Sequence, residues 1–589
     1  MHNRRLRWNK FRSCTLRISL FLLIFPVQLA WSQSIDTFFK ETFEQWLRDN
    51  PEFATYIGRH DYDDRWADWS KTGREERRQF LEQRLSMLNG FAASTLSAED
   101  RLTVRLVHYD FRSRLDAWEL ETHLLRVGQL FGFHNMVFLV FDRMPTRTVR
   151  DYENIIARLR AVPNYVDQNI GLMNEAIASK MMQPHIVADL VTHQIAAQMS
   201  QNAEQTQLLK GFRKFPSNIS PADQQRLRQE AVETYEKQFL PAWRRLHAYM
   251  ETTYSQHVRP GDSLRSIPAG GDAYGILLRR ETTTEMMPDE IHKLGEKEVS
   301  RIEGQMQALL AEIGFKGTIA EFQKKMDADP EQHFRSKEEM LVYCRNIAKI
   351  IEPELPNQFR RIPQLLYGVR AIPPDREAAT ATHAQPPPPD FSMPGWLNLN
   401  TYQPEKQVKY DMEALVLHEA VPGHIFQLTL AEAQQGLPDI RKFYFNSAFL
   451  EGWALYAESL GAQLGLYRNP YSRFGQLASE RFRAARLVVD TGIHYLGWRR
   501  EQALEYFHAH APEESPAEVD RYISMPAQAL AYKVGELRIH QLRERAEQQL
   551  GAKFDVREFH DAVLREGALP LDLLSEQIDH FISEAAFRR

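Results

Sequence analysis

The chain has 589 residues, 43% of them apolar and 26% charged, enough to bury a large core and unlike a collagen-like or long disordered chain. Its formal charge of −5 argues against a nucleic-acid partner, which would need a basic face.

The first segment, MHNRRLRWNKFRSCTLR, carries six Lys/Arg and no acid, and the apolar run ISLFLLIFPVQLAW follows it. Ala30-Trp31-Ser32 then fits a small-x-small cleavage site before Gln33. This is the three-part pattern of a secretory leader, and the run is short for a membrane span. Residues 1–32 are therefore expected to be a signal peptide, and the mature chain to be periplasmic or secreted, without stable membrane insertion. Cleavage removes six positive charges and moves the chain from −5 to −11, which disfavours anionic membranes too. Cys14 lies before the apolar run, so it is not a lipid-attachment cysteine, and it leaves with the leader. Cys344 then has no disulfide partner, and its surroundings, VYCRNIAKI, supply no base; a buried structural thiol is expected.

Beyond the leader, helical periodicity dominates. IDTFFKETFEQWLRD, EERRQFLEQRLSMLNGF and DRLTVRLVHYDFRSRLDAWELE place apolar residues three and four apart between charges. Asp289–Ile313 continues the pattern behind Pro288, with charges expected on a solvated face. Between Pro353 and Pro404 proline is too dense for long helices, and QLLYGVRAI and GWLNLNTY read as short strands. The reading is a mainly α protein. Residues 33–589 form one large helical body, with a helical half 33–352, a strand-bearing segment 353–404 and a second helical part 405–589.

That second part opens with LVLHEAVPGHIFQ, Leu415 to Gln427. Helical residues four apart differ by roughly 40° around the axis and can share a metal; six apart differ by roughly 240° and cannot. His418 and His424 are six apart. Pro422 forbids an unbroken helix, however, and Gly423 tolerates unusual backbone angles. A bulge of two residues at 421–423 would return His424 to a place from which it could share a metal with His418. The alternative is a helix that ends at Ala420 or Val421, with the two histidines merely near one another.

Downstream, FNSAFLEGWALYAESLGAQLG puts Glu451 and Glu458 on one face of an otherwise apolar helix, where a carboxylate is costly unless paired or ligating. RLVVDTGIHYLGW places Asp490 and His494 four apart, which also fits a satisfied Asp–His pair within the core. RYISMPAQALAYKVGELRI supplies Arg521, Tyr522, Gln528, Tyr532 and Lys533, some of which could face a developing oxyanion.

HEAVPGH, EGWALYAE, DTGIHYLGW and YISMPAQALAYKVGELRI together resemble the signature segments of the bacterial domain-of-unknown-function family 885. PEFATYIGRHDYDDRWADW and YGILLRRETTTEMMPDEIHKLG extend the resemblance across the mature chain. The family is grouped by similarity with the gluzincins, helical zinc peptidases related to carboxypeptidase Taq, the angiotensin-converting-enzyme family and dipeptidyl peptidase III. The resemblance implies a gluzincin-like catalytic body that binds one zinc ion through His418, His424 and Glu451, with Glu419 as acid and base. The chain departs from the family pattern at Ile425, where many relatives have a histidine, and at Ala527, where glycine is usual.

The chemistry expected is hydrolysis of a peptide or small amide by water at the open fourth zinc position. Glu419 would carry the proton. Tyr532, Tyr522 or His494 would donate to the oxyanion, with Tyr532 first, and GWLNLNTY would accept a peptide as an added strand. Rival readings are a zinc hydrolase of non-peptide amides or esters, and a scaffold that keeps the fold without catalysis.

Overall fold

The computed structural model describes residues 34–587, apart from 92–95, 374–376, 378–379, 390, 392 and 513–514. The leader lies outside the described residues. Helices dominate, and they start where the sequence supplies caps. Ser34 accepts from the Thr37 backbone N–H at the head of Ile35–Asp49. Ser97 and Asp100 form a reciprocal capping box ahead of Ala98–Glu119. Pro288 opens Pro288–Glu312 at a position where its missing N–H costs no hydrogen bond. One apolar cluster runs from Phe38 to Ala585. Cys344 is buried within it, its Sγ 3.9 Å from Met412 Sδ, and burial pushes its thiol up to about 12.

The charges of Pro288–Glu312 are not all solvated, contrary to expectation. Glu298 is buried, receives Arg301 at 2.8 Å and faces Lys533 Nζ at 3.4 Å. Lys533 is fully buried and also meets Glu480 at 2.8 Å and Glu536 at 2.7 Å. Three helices are thus tied at one cation, which a one-dimensional reading of a charged stripe cannot show.

The proline-rich segment folds into a three-stranded sheet of order β1-β3-β2. β1 (Tyr367–Ala371) runs parallel to β3 (Gly395–Leu399), and β2 (His383–Gln385) runs antiparallel to it. The two expected strands are present; β2, only three residues long, is not evident from sequence. Its presence changes the role of GWLNL. β3 is the central strand, with both edges already paired, so it cannot accept a peptide as an added strand.

The helices Ser447–Ser459 and Ala531–Leu550 cross at two glycines. A Cβ on Gly535 would lie 1.9 Å from the Ala448 carbonyl oxygen, and one on Gly452 would lie 2.5 Å from the Gly535 backbone. This contact of backbone on backbone sets Glu451, beside Gly452, against the helix that carries Tyr532. Gly535→Ala is expected to lower stability by about 1–3 kcal/mol through overpacking, read as a reduced urea midpoint. Gly304→Ala, in open space, serves as the control.

Candidate metal centre

The motif helix does not bulge; it stops and restarts. Met412–Glu419 ends at Ala420 (φ −103°, ψ −92°), the Val421–Pro422 peptide is cis, and a new helix begins at His424 and runs to Ala433. Gly423 takes φ −73° and ψ −135°, outside the helical and strand ranges, as its place in the motif suggested, and a Cβ there would also lie 1.8 Å from the His418 carbonyl oxygen and 2.4 Å from that of Leu417. The turn folds back onto the end of its own helix. The Phe426 N–H donates to Ala420 O across the break, and Trp453 Nε1 donates to Pro422 O at 2.8 Å, fastening the turn to the helix Ser447–Ser459.

The break brings the two histidines together. Their ring centroids are 4.9 Å apart with planes at 89°. His418 Nε2 is 3.5 Å and His424 Nε2 3.3 Å from the same oxygen, Glu451 Oε2, and one donor atom from each residue lies within 4.8 Å of the others. Zinc bonds of ~2.0–2.2 Å in a tetrahedron separate neighbouring donors by about 3.3–3.5 Å. The donor types and the two measured edges therefore fit a small divalent ion.

Partners on the far side of each ring fix its direction. His418 Nδ1 donates to Glu458 Oε1 at 2.8 Å, and Glu458 Oε2 accepts from Ser479 Oγ at 2.7 Å. His424 Nδ1 donates to Gln427 Oε1 at 3.2 Å. With both Nδ1 atoms occupied, both Nε2 atoms are left for a common point, the arrangement that outer partners of metal-binding histidines produce. Burial disfavours charge here, yet the two imidazoles hold the Glu451 carboxyl well below its usual range. Against the same penalty, Glu451 and Glu458 push His418 up to about 9. The cluster is anionic enough to favour a cation in place of a proton.

The other expected residues divide. Glu419 is half-buried, and its Oε2 accepts from the Ala384 N–H of β2 at 2.8 Å. The Tyr532 ring stacks on His418 with centroids 6.2 Å apart and planes at 15°, and burial followed by Glu451 raises its hydroxyl pKa, so the donor proton is kept. Tyr522 is buried and committed, its hydroxyl donating to Glu518 at 2.9 Å and accepting from Arg486 at 3.0 Å. The structure disagrees with the role expected for His494. Its Nδ1 accepts from the Leu264 N–H at 3.0 Å, its Nε2 donates to Tyr522 O at 2.9 Å, and burial pulls its pKa to about 3. A neutral imidazole with both nitrogens used has no proton to offer an oxyanion. Nor does it pair with Asp490, which accepts from Tyr274 at 2.7 Å and from the Ala527 N–H. Ser479, Gln427 and Ala384 were not found by sequence reasoning; only Gln427, three residues after His424 on one helix face, carried a usable signal.

The model of a bacterial protein family of unknown function, DUF885, matches residues 51–578. The chain belongs to the DUF885 family. No curated protein matches it. A candidate lipoprotein from Colwellia psychrerythraea has a similar structure, with a TM-score of 0.87 and 26% identity over 93% of this chain and 99% of that one. A second, of unknown function from Shewanella oneidensis, gives 0.70 and 17% over 92% and 99%. Among the described residues no helix is long and apolar enough to cross a membrane.

Residue 527, where the resemblance implied glycine, has an unusual backbone. Ala527 is fully buried at φ +71°, left-handed backbone that glycine adopts at little cost. Ala527→Gly is expected to raise stability by up to ~1 kcal/mol, because L-residues pay about 1–2 kcal/mol there while glycine loses more chain entropy; thermal unfolding measures it. Glu458→Ala removes the partner that aims His418, and is expected to weaken metal binding about 10- to 100-fold in a competitive chelator titration. Unchanged affinity would show that Glu458 does not set the ring.

Proposed function

We propose that this protein is an exported zinc-dependent peptidase of short peptides, built as one helical body over residues 33–589. The observation that carries the reading is the convergence of His418 Nε2 and His424 Nε2 on Glu451 Oε2, from two helices held apart by a four-residue break. These three residues would hold the ion. When bound, zinc supplies Lewis-acid polarisation of a carbonyl and brings water towards ionisation near neutral pH.

The chain's own groups do the rest. Glu419 takes a proton from the attacking water as the new C–O bond forms, and returns it to the amide nitrogen as the C–N bond breaks. The Ala384 N–H holds the Glu419 carboxylate in place. Tyr532 donates its hydroxyl proton to the oxygen on which charge collects, from a ring already stacked on His418. Because the Ala384 N–H points to Glu419 rather than into the sheet, the open edge of β2 is where an extended peptide would lie. Export rests on the basic, apolar and small-residue pattern of residues 1–32, and it fits the description of the two similar proteins as candidate lipoproteins.

Purified protein is expected to hold one zinc per chain and to cleave short peptides in preference to amidase and esterase substrates. Glu419→Gln is expected to keep its zinc and to lose about 100- to 10,000-fold in turnover, the usual contribution of a general base. Near-normal turnover in that variant would rule out the mechanism, and protein that neither contains nor binds zinc would rule out the hydrolase.

A further inference from the structure

Beside the metal centre two arginines share one carboxylate. Arg521 donates to Glu518 Oε2 through Nε at 3.2 Å and Nη2 at 3.1 Å, and Arg486 donates to the same oxygen through Nη2 at 3.2 Å. Tyr522 donates its hydroxyl proton to that oxygen as well. The remaining donors of Arg521 are engaged, Nη1 reaching Gln528 Oε1 at 2.7 Å. Those of Arg486 are not. Its Nε donates to the Tyr522 hydroxyl at 3.0 Å, but its Nη1 is buried and has no partner. Asp490, one turn after Arg486 on the same helix, spends its oxygens on Tyr274 and Ala527, and burial raises it to about 7, so it is a weak counter-charge. A buried guanidinium with an open donor and half a counter-ion is expensive unless a ligand completes it.

The position is as informative as the charge. The Arg486 Cζ lies 4.4 Å over the Tyr532 ring, and that ring stacks at 6.2 Å on His418. One aromatic ring separates the guanidinium from a metal-ligand imidazole. An extended residue spans about 3.5 Å, so one or two residues and a hydrogen bond cover the distance from a bond cleaved at the metal to Arg486. Arginine is suited to a carboxylate, which it can bind through charge-assisted hydrogen bonds.

We infer that Arg486, with Arg521 beside it, binds the free α-carboxylate of the substrate, so that the protein removes one or two residues from the C-terminus of peptides. This rests on the peptidase reading above and adds the end of the chain on which it acts. Water adds across the last or second-last peptide bond, and the C-terminal amino acid or dipeptide leaves with its amine protonated.

The test compares N-acetylated tetrapeptides that end in a free carboxylate with the same peptides ending in a carboxamide, using the zinc-loaded full-length protein and mass spectrometry of the products. Expected is release of a C-terminal amino acid or dipeptide, with kcat/KM about 10- to 100-fold higher for the free acid, the range of a charged hydrogen bond. Arg486→Gln should erase the preference mainly through KM. Should that variant fold poorly by circular dichroism, Arg521→Gln, which removes the second guanidinium from Glu518, should reduce it several-fold. Equal cleavage of acid and amide, or cleavage at internal bonds, overturns the inference and leaves the peptidase reading intact. Binding of both peptides to the Glu419→Gln protein separates the two ideas. Tighter binding of the free acid without hydrolysis by the native protein would sink the peptidase reading and retain the carboxylate site; equal binding would sink the site.

Discussion

The centre of this protein depends on four residues, 420–423, that interrupt a helix. Within one continuous helix His418 and His424 would point in directions about 120° apart, too far to share an ion. Ending the first helix at Glu419 and starting another at His424 frees the second imidazole to turn toward the first. The turn is held from both sides: Gly423 packs on the carbonyls that end the first helix, and Trp453 binds the Pro422 oxygen from the glutamate helix. Because Trp453 lies two residues after Glu451, the bond that fixes the turn also fixes the third donor relative to the first two.

Around that break the fold gathers charge that a core normally excludes. Glu458 is buried, and its cost is offset by His418, Ser479 and Arg483. Farther out, Lys533 gathers Glu298, Glu480 and Glu536, joining the helix that carries Tyr532 to Pro288–Glu312 and Pro470–Thr491. The backbone crossing at Gly452 and Gly535 holds the helix of Glu451 against the helix of Tyr532. Position, more than propensity, is what these interactions supply: the partners of His418, His424 and Glu451 point two Nε2 atoms and a carboxylate at one spot.

Much of this was legible in one dimension. Repeating apolar residues at three and four marked the helices, dense proline marked the sheet segment, and Pro422 marked the interruption. Glutamates in an apolar helix marked Glu451 and Glu458, because a carboxylate has no cheap place in a core. The resemblance to DUF885 tied those marks into one ligand set. The errors share a cause. His494 looked available because its partners, Leu264 N–H and Tyr522 O, are backbone groups 230 and 28 residues away. GWLNL looked free because β2 is too short to announce itself, and Glu298 looked solvated because Lys533 lies on a distant helix.

The amino-acid order alone thus determined which segments are helical, where the motif must break and which side chains are chemically able to hold a metal. Those properties follow from local sterics and from the cost of burying charge. What tertiary structure alone decided was direction: that Glu458 aims His418, that β2 rather than β3 presents an edge to Glu419, and that Arg486 keeps one donor open beside Tyr532. Direction is set by contacts between residues far apart along the chain, and periodicity carries no record of which distant partner a side chain will meet.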